Sequence, residues 1–408
     1  MKKRLFKILL MATVLWIGCS SCENKKINSS ENKEVDAVEA LLDSLQKIYA
    51  PDKRVDLWMF ELEEEEGNFF LKGKVYNEKA FNDLNEQFKA RFPKIKVELE
   101  LLPSNEKERV VNAIITNSVA TIRGEGRHSA EIVTQLLMGT PVKILKDEGS
   151  WVLIQAPNRY IGWAYSYEIK KLTPDEMTAY KQSDKRIYTS QGGFSYSEAN
   201  TESRVVSDLA LGCMFSVLDS LGDFYKVQYA DKREAFVRKN ETISVKLWLK
   251  SQPIAEKLTK TAEKFMGLPY LWGGTSAKAI DCSGFSSSIY FMHGILLQRD
   301  ASQQTHYGKL VDTQKDFSQL AAGDLVFFGR QATDSLPEKV THVGMYIGDT
   351  EFIHASGKVR INSFDASRAN FDQDYVNSFI RARRIINQVD NKGIERIEDN
   401  LFYKEIFQ

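Results

Sequence analysis

The sequence predicts an α+β protein of several domains, and three observations carry that expectation. Its 408 residues exceed what one hydrophobic core usually serves. A unit of about 60 residues, built from short alternating runs and Gly turns, occurs twice in the middle of the chain, as expected for two small barrels rather than one large sheet. Further on, an amphipathic run, SGFSSSIYFMHG, precedes two β-branched apolar runs, VTHVGMYIG and EFIHASG, which sets a helix against strands. Lys+Arg and Asp+Glu balance at 55 each, so no overall field points to nucleic acid, and 43% apolar residues suit ordinary globular cores.

In chain order, MKKRLFKILLMATVLWIGCSSC combines a basic start, an apolar stretch short for a membrane span, and small residues with cysteines. That pattern is a secretory signal (residues 1 to 22) and not a fold element. Its ending resembles a bacterial lipoprotein signal, whose cysteine after the cleavage point carries a lipid. Cys19 and Cys22 both fit, and plain secretion is the alternative. A lipid there implies a membrane partner and an envelope location, facing the periplasm. A polar tether fills 23 to 33, and 34 to 109 follow an α-β-β-α-β order, similar to a small BON-like α+β module. The run Glu63 to Glu66 reads as a solvated turn rather than a metal site.

Residues 110 to 172 carry TIRGEG, LLMGTPVKIL, GSWVLIQ and YIGWA, pieces that resemble a bacterial SH3b domain. Residues 186 to 245 repeat the order but lack the GW pair. Trp151, Tyr160 and Trp163 suggest either barrel-closing core aromatics or a glycan platform. A linker helix in SQPIAEKLTKTAEKFMG leads into the segment 251 to 386. The charged tail, 387 to 408, is expected to pack loosely or fray.

The stretch PYLWGGTSAKAIDCSG, Pro269 to Gly284, is where the sequence puts its chemistry. Asp281 is a good N-cap type, which sets Cys282 in the first turn of a helix stopped by Gly294. Free N–H groups and the helix dipole stabilise an anion there, so the thiol is expected to ionise below its ordinary pKa and act as a nucleophile. The same N–H groups suit the oxyanion of a tetrahedral intermediate. A cysteine nucleophile needs a base, and the chain has only five histidines. His342 and His354 flank a Gly-Asp turn signal, so they read as neighbours in one hairpin, with rings that stack into a relay beside the thiol. His128 belongs to a polar loop, His293 to a helix end, and His306 to a polar helical segment. Cys213 reads as a small buried apolar residue. Neither a metal nor a cofactor is expected.

Residues 255 to 386 resemble the NlpC/P60 family of cell-wall cysteine peptidases, whose papain-like core packs a Cys-bearing helix on a sheet with two His. The matching pieces are PYLWGG, DCSG, RDASQQ, AAGDLVFF, THVGMYIG and FIHASG, in that order. The segment GRQATDSLPEKV, 329 to 340, is longer than the usual connection before the first His and reads as an exposed loop. In this scheme Cys282 attacks an amide carbonyl, His342 is base and then acid, and His354 orients the His342 ring. The resemblance adds the Tyr270 hydroxyl as an oxyanion donor.

The resemblance also implies a substrate. NlpC/P60 enzymes cut peptidoglycan stem peptides, and members with two SH3b domains and an RD-x-x-x-Q segment resemble γ-D-glutamyl-L-diamino acid endopeptidases that demand a free N-terminal L-alanine. An ammonium in a closed pocket needs carboxylates. Asp281 and Asp300 are the candidates, with Ser283 and Ser302 as hydrogen-bond partners and Trp272 as a wall. Glu125 and Tyr160 are positional candidates for the acidic group and the tyrosine that the first barrel supplies in such relatives. A monomer acting on freed muropeptides in recycling is expected. Two alternatives stay open: an amidase or acyltransferase using the same Cys-His pair, which wants a broad apolar groove near Cys282, and a non-catalytic wall-binding lipoprotein.

Overall fold

The computed structural model describes residues 4–6, 29–65, 68–103 and 112–407; the candidate lipid sites Cys19 and Cys22, the tether through residue 28, and Glu66 lie outside the described residues. The chain divides into two units, Met1–Glu108 and Arg109–Gln408.

In the first unit, the expected α-β-β-α-β order is present. Helices Ser29–Tyr49 and Glu78–Arg91 accompany strands Trp58–Glu65, Asn68–Val75 and Lys96–Leu101, the last parallel to its neighbour. The Asn77 side chain caps the second helix by accepting the Ala80 N–H, and Ala80, Leu84 and Phe88, four apart, form its buried stripe. They pack with Leu41, Leu45, Leu62 and Leu71. Glu63 pairs with Lys72 across the hairpin, and Glu63 to Glu65 belong to the strand rather than to the expected turn. Arg4–Phe6, expected to lie outside the fold, is instead a strand antiparallel to Trp58–Glu65, where the sheet edge offers unpaired N–H and C=O groups.

The second unit starts with two seven-stranded sheets of similar strand order. The first runs from Ala113–Ile115 to Ile169–Lys171 around Ile115, Ile122, Val142 and Ile154; the second, from Lys185–Tyr188 to Thr242–Ser244, encloses Leu209, Phe215, Val227 and Val237. The barrels meet through corresponding glycine turns: Met214 N–H donates to Met138 O at 2.9 Å, beside Gly139 at φ 86°. Trp163 and Tyr160 are each 7% exposed, so neither offers a face to a sugar; they are core aromatics. Trp151 is half-buried in a ring group with His128 and Tyr165.

The C-terminal region sets helices Ala255–Glu263 and Cys282–Met292 against a six-stranded sheet whose centre is Leu325–Arg330, Lys339–Gly348 and Glu351–Ser356. Leu258, Phe265, Phe285, Ile289, Phe327, Val343, Met345 and Ile353 make the core between them. The polar loop after Arg330 is exposed, as its composition predicts.

The tail differs from expectation. Ile394–Arg396 pairs with Ile295–Leu297, and helix Leu401–Phe407 buries Phe402, Tyr403 and Ile406 against Tyr180 and Trp248. Its charges face outward while apolar residues at helical spacing seal the underside of both the second barrel and the nucleophile helix. Ile406→Ala therefore costs about 2–5 kcal/mol, read from the shift in urea midpoint, whereas a fraying tail would leave the midpoint in place.

Candidate active site

Asp281 has extended backbone and caps Cys282–Met292: its Oδ1 accepts the Gly284 N–H at 2.7 Å and its Oδ2 the Gly273 N–H at 3.0 Å. Arg299 donates to both oxygens, Nη1 to Oδ1 at 3.2 Å and Nη2 to Oδ2 at 2.5 Å. Nη1 reaches Ser283 Oγ at 3.0 Å as well, and Nε donates to Thr134 Oγ1 of the first barrel at 2.9 Å. The two charged side chains are only 2% and 7% exposed, so water screens their attraction weakly.

The same barrel strand, Ile132–Leu137, builds the wall opposite. Gln135 Oε1 accepts the Thr275 N–H at 3.1 Å and the Ser276 hydroxyl at 2.9 Å. Gly273 sits at φ 80°, and a Cβ there would meet Ile132 O at 2.4 Å, so the two segments approach as closely as backbone allows. Beside them, Trp272 Nε1 donates to Glu131 Oε1 at 2.7 Å.

Cys282 is 7% exposed. The backbone N–H groups of Ser283 and of Val343, which follows His342 in the chain, favour its ionised form. His342 Nε2 lies 2.7 Å from His354 Nδ1, and His354 Nε2 lies 2.8 Å from Asn362 Oδ1. The two imidazoles thus meet in the hairpin, but edge to face at 83° and joined by a hydrogen bond rather than stacked as expected, and the row has a further polar member. Tyr375, from helix Gln373–Ser378, covers both imidazoles with ring centroids at 5.5 Å and 4.7 Å.

The electrostatics differ from the sequence expectation. Burial, reinforced by the Asp281 carboxylate, pushes the Cys282 thiol up to about 12, and the two N–H donors only offset this in part. Burial brings His342 down to about 3, with His354 and Arg360 adding to the effect, and brings His354 down to about 4. The resting pair is a protonated thiol and a neutral imidazole, not the thiolate that the helix N-terminus alone predicts. Burial, with Cys282 and Asp281 adding to it, pushes the Tyr270 phenol up, so it keeps its proton and remains a hydrogen-bond donor.

The remaining candidates separate. Asp281 spends its oxygens on Arg299, Ser283, Gly273 and Gly284, and the Ser283 hydroxyl lies between Asp281 and Arg299; both belong to the clamp under Cys282 rather than to a pocket surface. Asp300 is the carboxylate that faces the barrel, its Oδ2 accepting the Tyr160 hydroxyl at 3.1 Å. Ser302 sits in the short helix Ala301–Gln304 behind it. Trp272 is 63% exposed at the rim. Glu125 pairs with Arg127 on the barrel, and a second barrel carboxylate, Glu131, accepts from Trp272. Nothing in the linear sequence distinguishes Glu131 from Glu125, since its partner lies 141 positions away. His293 Nε2 lies 2.9 Å from Thr261 Oγ1 at the helix end, which makes it a structural residue.

Residues 267–380 match the model of the NlpC/P60 family, and residues 118–170 match that of the bacterial SH3 domain. The gamma-D-glutamyl-L-lysine dipeptidyl-peptidase of Bacillus subtilis is 31% identical over 232 residues, 55% of this chain and 72% of that protein. The chain belongs to the NlpC/P60 family. Its Bacillus cereus relative of the same name is 31% identical over 238 residues, 55% of this chain and 67% of that protein. The crystal structure of an NlpC/P60 family protein from Bacillus cereus aligns at a TM-score of 0.56 and 25% identity, covering 67% of this chain and 99% of that one. The protein is therefore a cysteine peptidase of the NlpC/P60 family, with SH3-like barrels before its catalytic region.

The clamp yields a stability test. Arg299→Leu leaves the buried Asp281 carboxylate without its counter-charge and costs about 3–5 kcal/mol in urea unfolding. Adding Asp281→Asn recovers part of that loss, and strict additivity of the two would show that the pair does not couple.

Proposed function

We propose that this NlpC/P60 peptidase cleaves the γ-D-glutamyl to L-diamino acid bond of peptidoglycan stem peptides that carry a free N-terminal L-alanine. The observation that carries this reading is Asp300, whose carboxylate takes the Tyr160 hydroxyl across the seam between barrel and catalytic sheet and keeps 27% of its side chain exposed. A carboxylate so placed suits a substrate ammonium, which loses its water only beside an opposite charge. The Bacillus relatives, named for a γ-D-glutamyl-L-lysine bond, support the choice of bond.

The chemistry follows from the protonation states. Cys282 keeps its proton until attack, so His342 takes it as the sulfur bonds to the amide carbon. The Cys282 N–H and the Tyr270 hydroxyl face the oxyanion. The imidazolium then gives its proton to the departing amine as the C–N bond breaks. Water, deprotonated by His342, hydrolyses the thioester. His354 orients the base. A lipid on Cys19 or Cys22 holds the enzyme at the envelope membrane, where recycling would meet freed muropeptides.

The other two readings fit the molecule less well. The apolar cavity bounded by Leu137, Phe265, Phe291, Leu296 and Tyr403 lies behind the nucleophile helix and is not lined by Cys282, unlike an acyl-chain groove. A binding-only protein has no need of a Cys-His pair with an ordered relay.

Mass spectrometry of products tests the proposal. The full-length chain should release L-Ala-γ-D-Glu from L-Ala-γ-D-Glu-diaminopimelate, cleave the N-acetylated tripeptide at least about 10²-fold more slowly, and do neither as Cys282→Ala. Equal cleavage of acetylated peptide or intact sacculi would rule out amine recognition, and no cleavage of any of them would rule out the peptidase reading.

The pH dependence has a definite sign. His342 is held down from 6.5 to about 3, so its neutral, base-competent form persists in mild acid and kcat/KM on the tripeptide stays flat from about pH 7 to about pH 5. A midpoint near 6.5 would show that the base is not protected. Folded His342 and His354 bind fewer protons than the unfolded chain below about pH 6.5, so stability drops as the pH is lowered through that window, and circular dichroism separates unfolding from titration.

A further inference from the structure

Asn362 lies on strand Lys358–Ser363, beside the strand that carries His354, and is 7% exposed. An amide can point either way, but here its surroundings choose. Asn362 Nδ2 donates to the backbone carbonyl of Asn370 at 3.2 Å and to Asp372 Oδ2 at 3.4 Å. Both partners only accept, so the NH2 must face them and Oδ1 must face the imidazole. Asp372 is itself fixed, because its Oδ1 caps helix Gln373–Ser378 by accepting the Asp374 N–H at 3.1 Å.

The consequence passes down the row. Oδ1 can only accept, so His354 must carry its proton on Nε2. Neutral His354 then has a bare Nδ1, which accepts from His342 Nε2–H. Neutral His342 in turn has a bare Nδ1, the ring nitrogen nearest its own backbone. The Cys282 thiol feels the N–H of Val343, the residue after His342 in the chain, which sets it near the backbone side of that ring. The opposite tautomer at any step would put two N–H groups or two lone pairs face to face.

We propose that Asn362, held by Asn370 and Asp372, is a positioning residue that locks His354 and His342 in their Nε2–H tautomers and so keeps the His342 Nδ1 lone pair available to the Cys282 thiol. The part of this that concerns rate rests on the proposed peptidase chemistry; the tautomers themselves do not. The charged groups facing the pair are Arg360 on the Asn362 strand and Asp372 before the covering helix, with the Tyr375 ring against both imidazoles. Burial keeps both imidazoles neutral, which is the state the tautomer argument requires.

The test combines imidazole ¹⁵N NMR with kinetics on the full-length chain, using histidine labelled at both ring nitrogens and assignment by His354→Gln. Wild type should show unprotonated Nδ1 and protonated Nε2 at both His342 and His354. Asn362→Asp keeps an acceptor, so the tautomers persist, while its added negative charge moves the acid limb of kcat/KM to higher pH. Asn362→Leu removes the acceptor: an Nδ1–H population appears at His342, and kcat falls on the order of 10²-fold with KM on L-Ala-γ-D-Glu-diaminopimelate little changed. An Nδ1–H tautomer at either ring in wild type would overturn the proposal. So would Asn362→Leu with unaltered tautomers and kcat. If Asn362→Leu does not fold, the wild-type spectrum and the Asn362→Asp pH profile decide. Absence of tripeptide cleavage by wild type would count against the substrate assignment and leave the tautomer spectra readable.

Discussion

A single buried ion pair organises the chemistry of this protein. Asp281 and Arg299 are nearly sealed from water, and between them they hold the nucleophile helix, the Gly273 loop and a strand of the first barrel. Burying two charges is costly, and this pair recovers the cost through geometry that uses both carboxylate oxygens and donors on three guanidinium nitrogens. A hydrophobic replacement could match its stability but could not connect a cap, a loop and a neighbouring domain at once. The first barrel is, in this sense, part of the active site: its strand Ile132–Leu137 forms the wall that the Tyr270 to Ser276 segment leans on.

What the sequence made legible was local chemistry. Cys282 and the two histidines could be found because each sits in a short pattern whose secondary structure fixes its neighbours: a cap followed by a helix, and two strands joined by a Gly-Asp turn. The repeated barrels were legible for the same reason, through glycine turns that recur at corresponding positions. Asn362 was within reach, since the turn at Gly357 pairs His354 with Arg360 and puts Asn362 diagonally beside the ring. It was missed because a lone Asn in a strand carries no distinctive signal.

The rest depended on distance and burial, which a linear reading does not contain. Glu131, Thr134 and Gln135 meet the catalytic region across more than a hundred positions. The thiol pKa turned the wrong way because a helix N-terminus is visible in sequence, whereas the depth to which the fold buries it is not. The tail was misjudged on its charge, although Phe402 and Ile406, four apart, already marked a buried stripe. Asp281 looked like a substrate carboxylate until Arg299 was seen to occupy it.

A thiol that keeps its proton is a poor target for oxidants as well as a quiet nucleophile. Peroxide and disulfides react with thiolate, so a sulfur held at about 12 and 7% exposed is shielded from sulfenic acid formation. Cys213, the other buried thiol among the described residues, is protected in the same way. The fold thus trades a permanently activated sulfur for durability, and confines reactivity to the moment when a carbonyl is in place and His342 accepts the proton. For inhibitor chemistry this favours electrophiles that resemble the acyl group and recruit the base over small thiolate-seeking reagents.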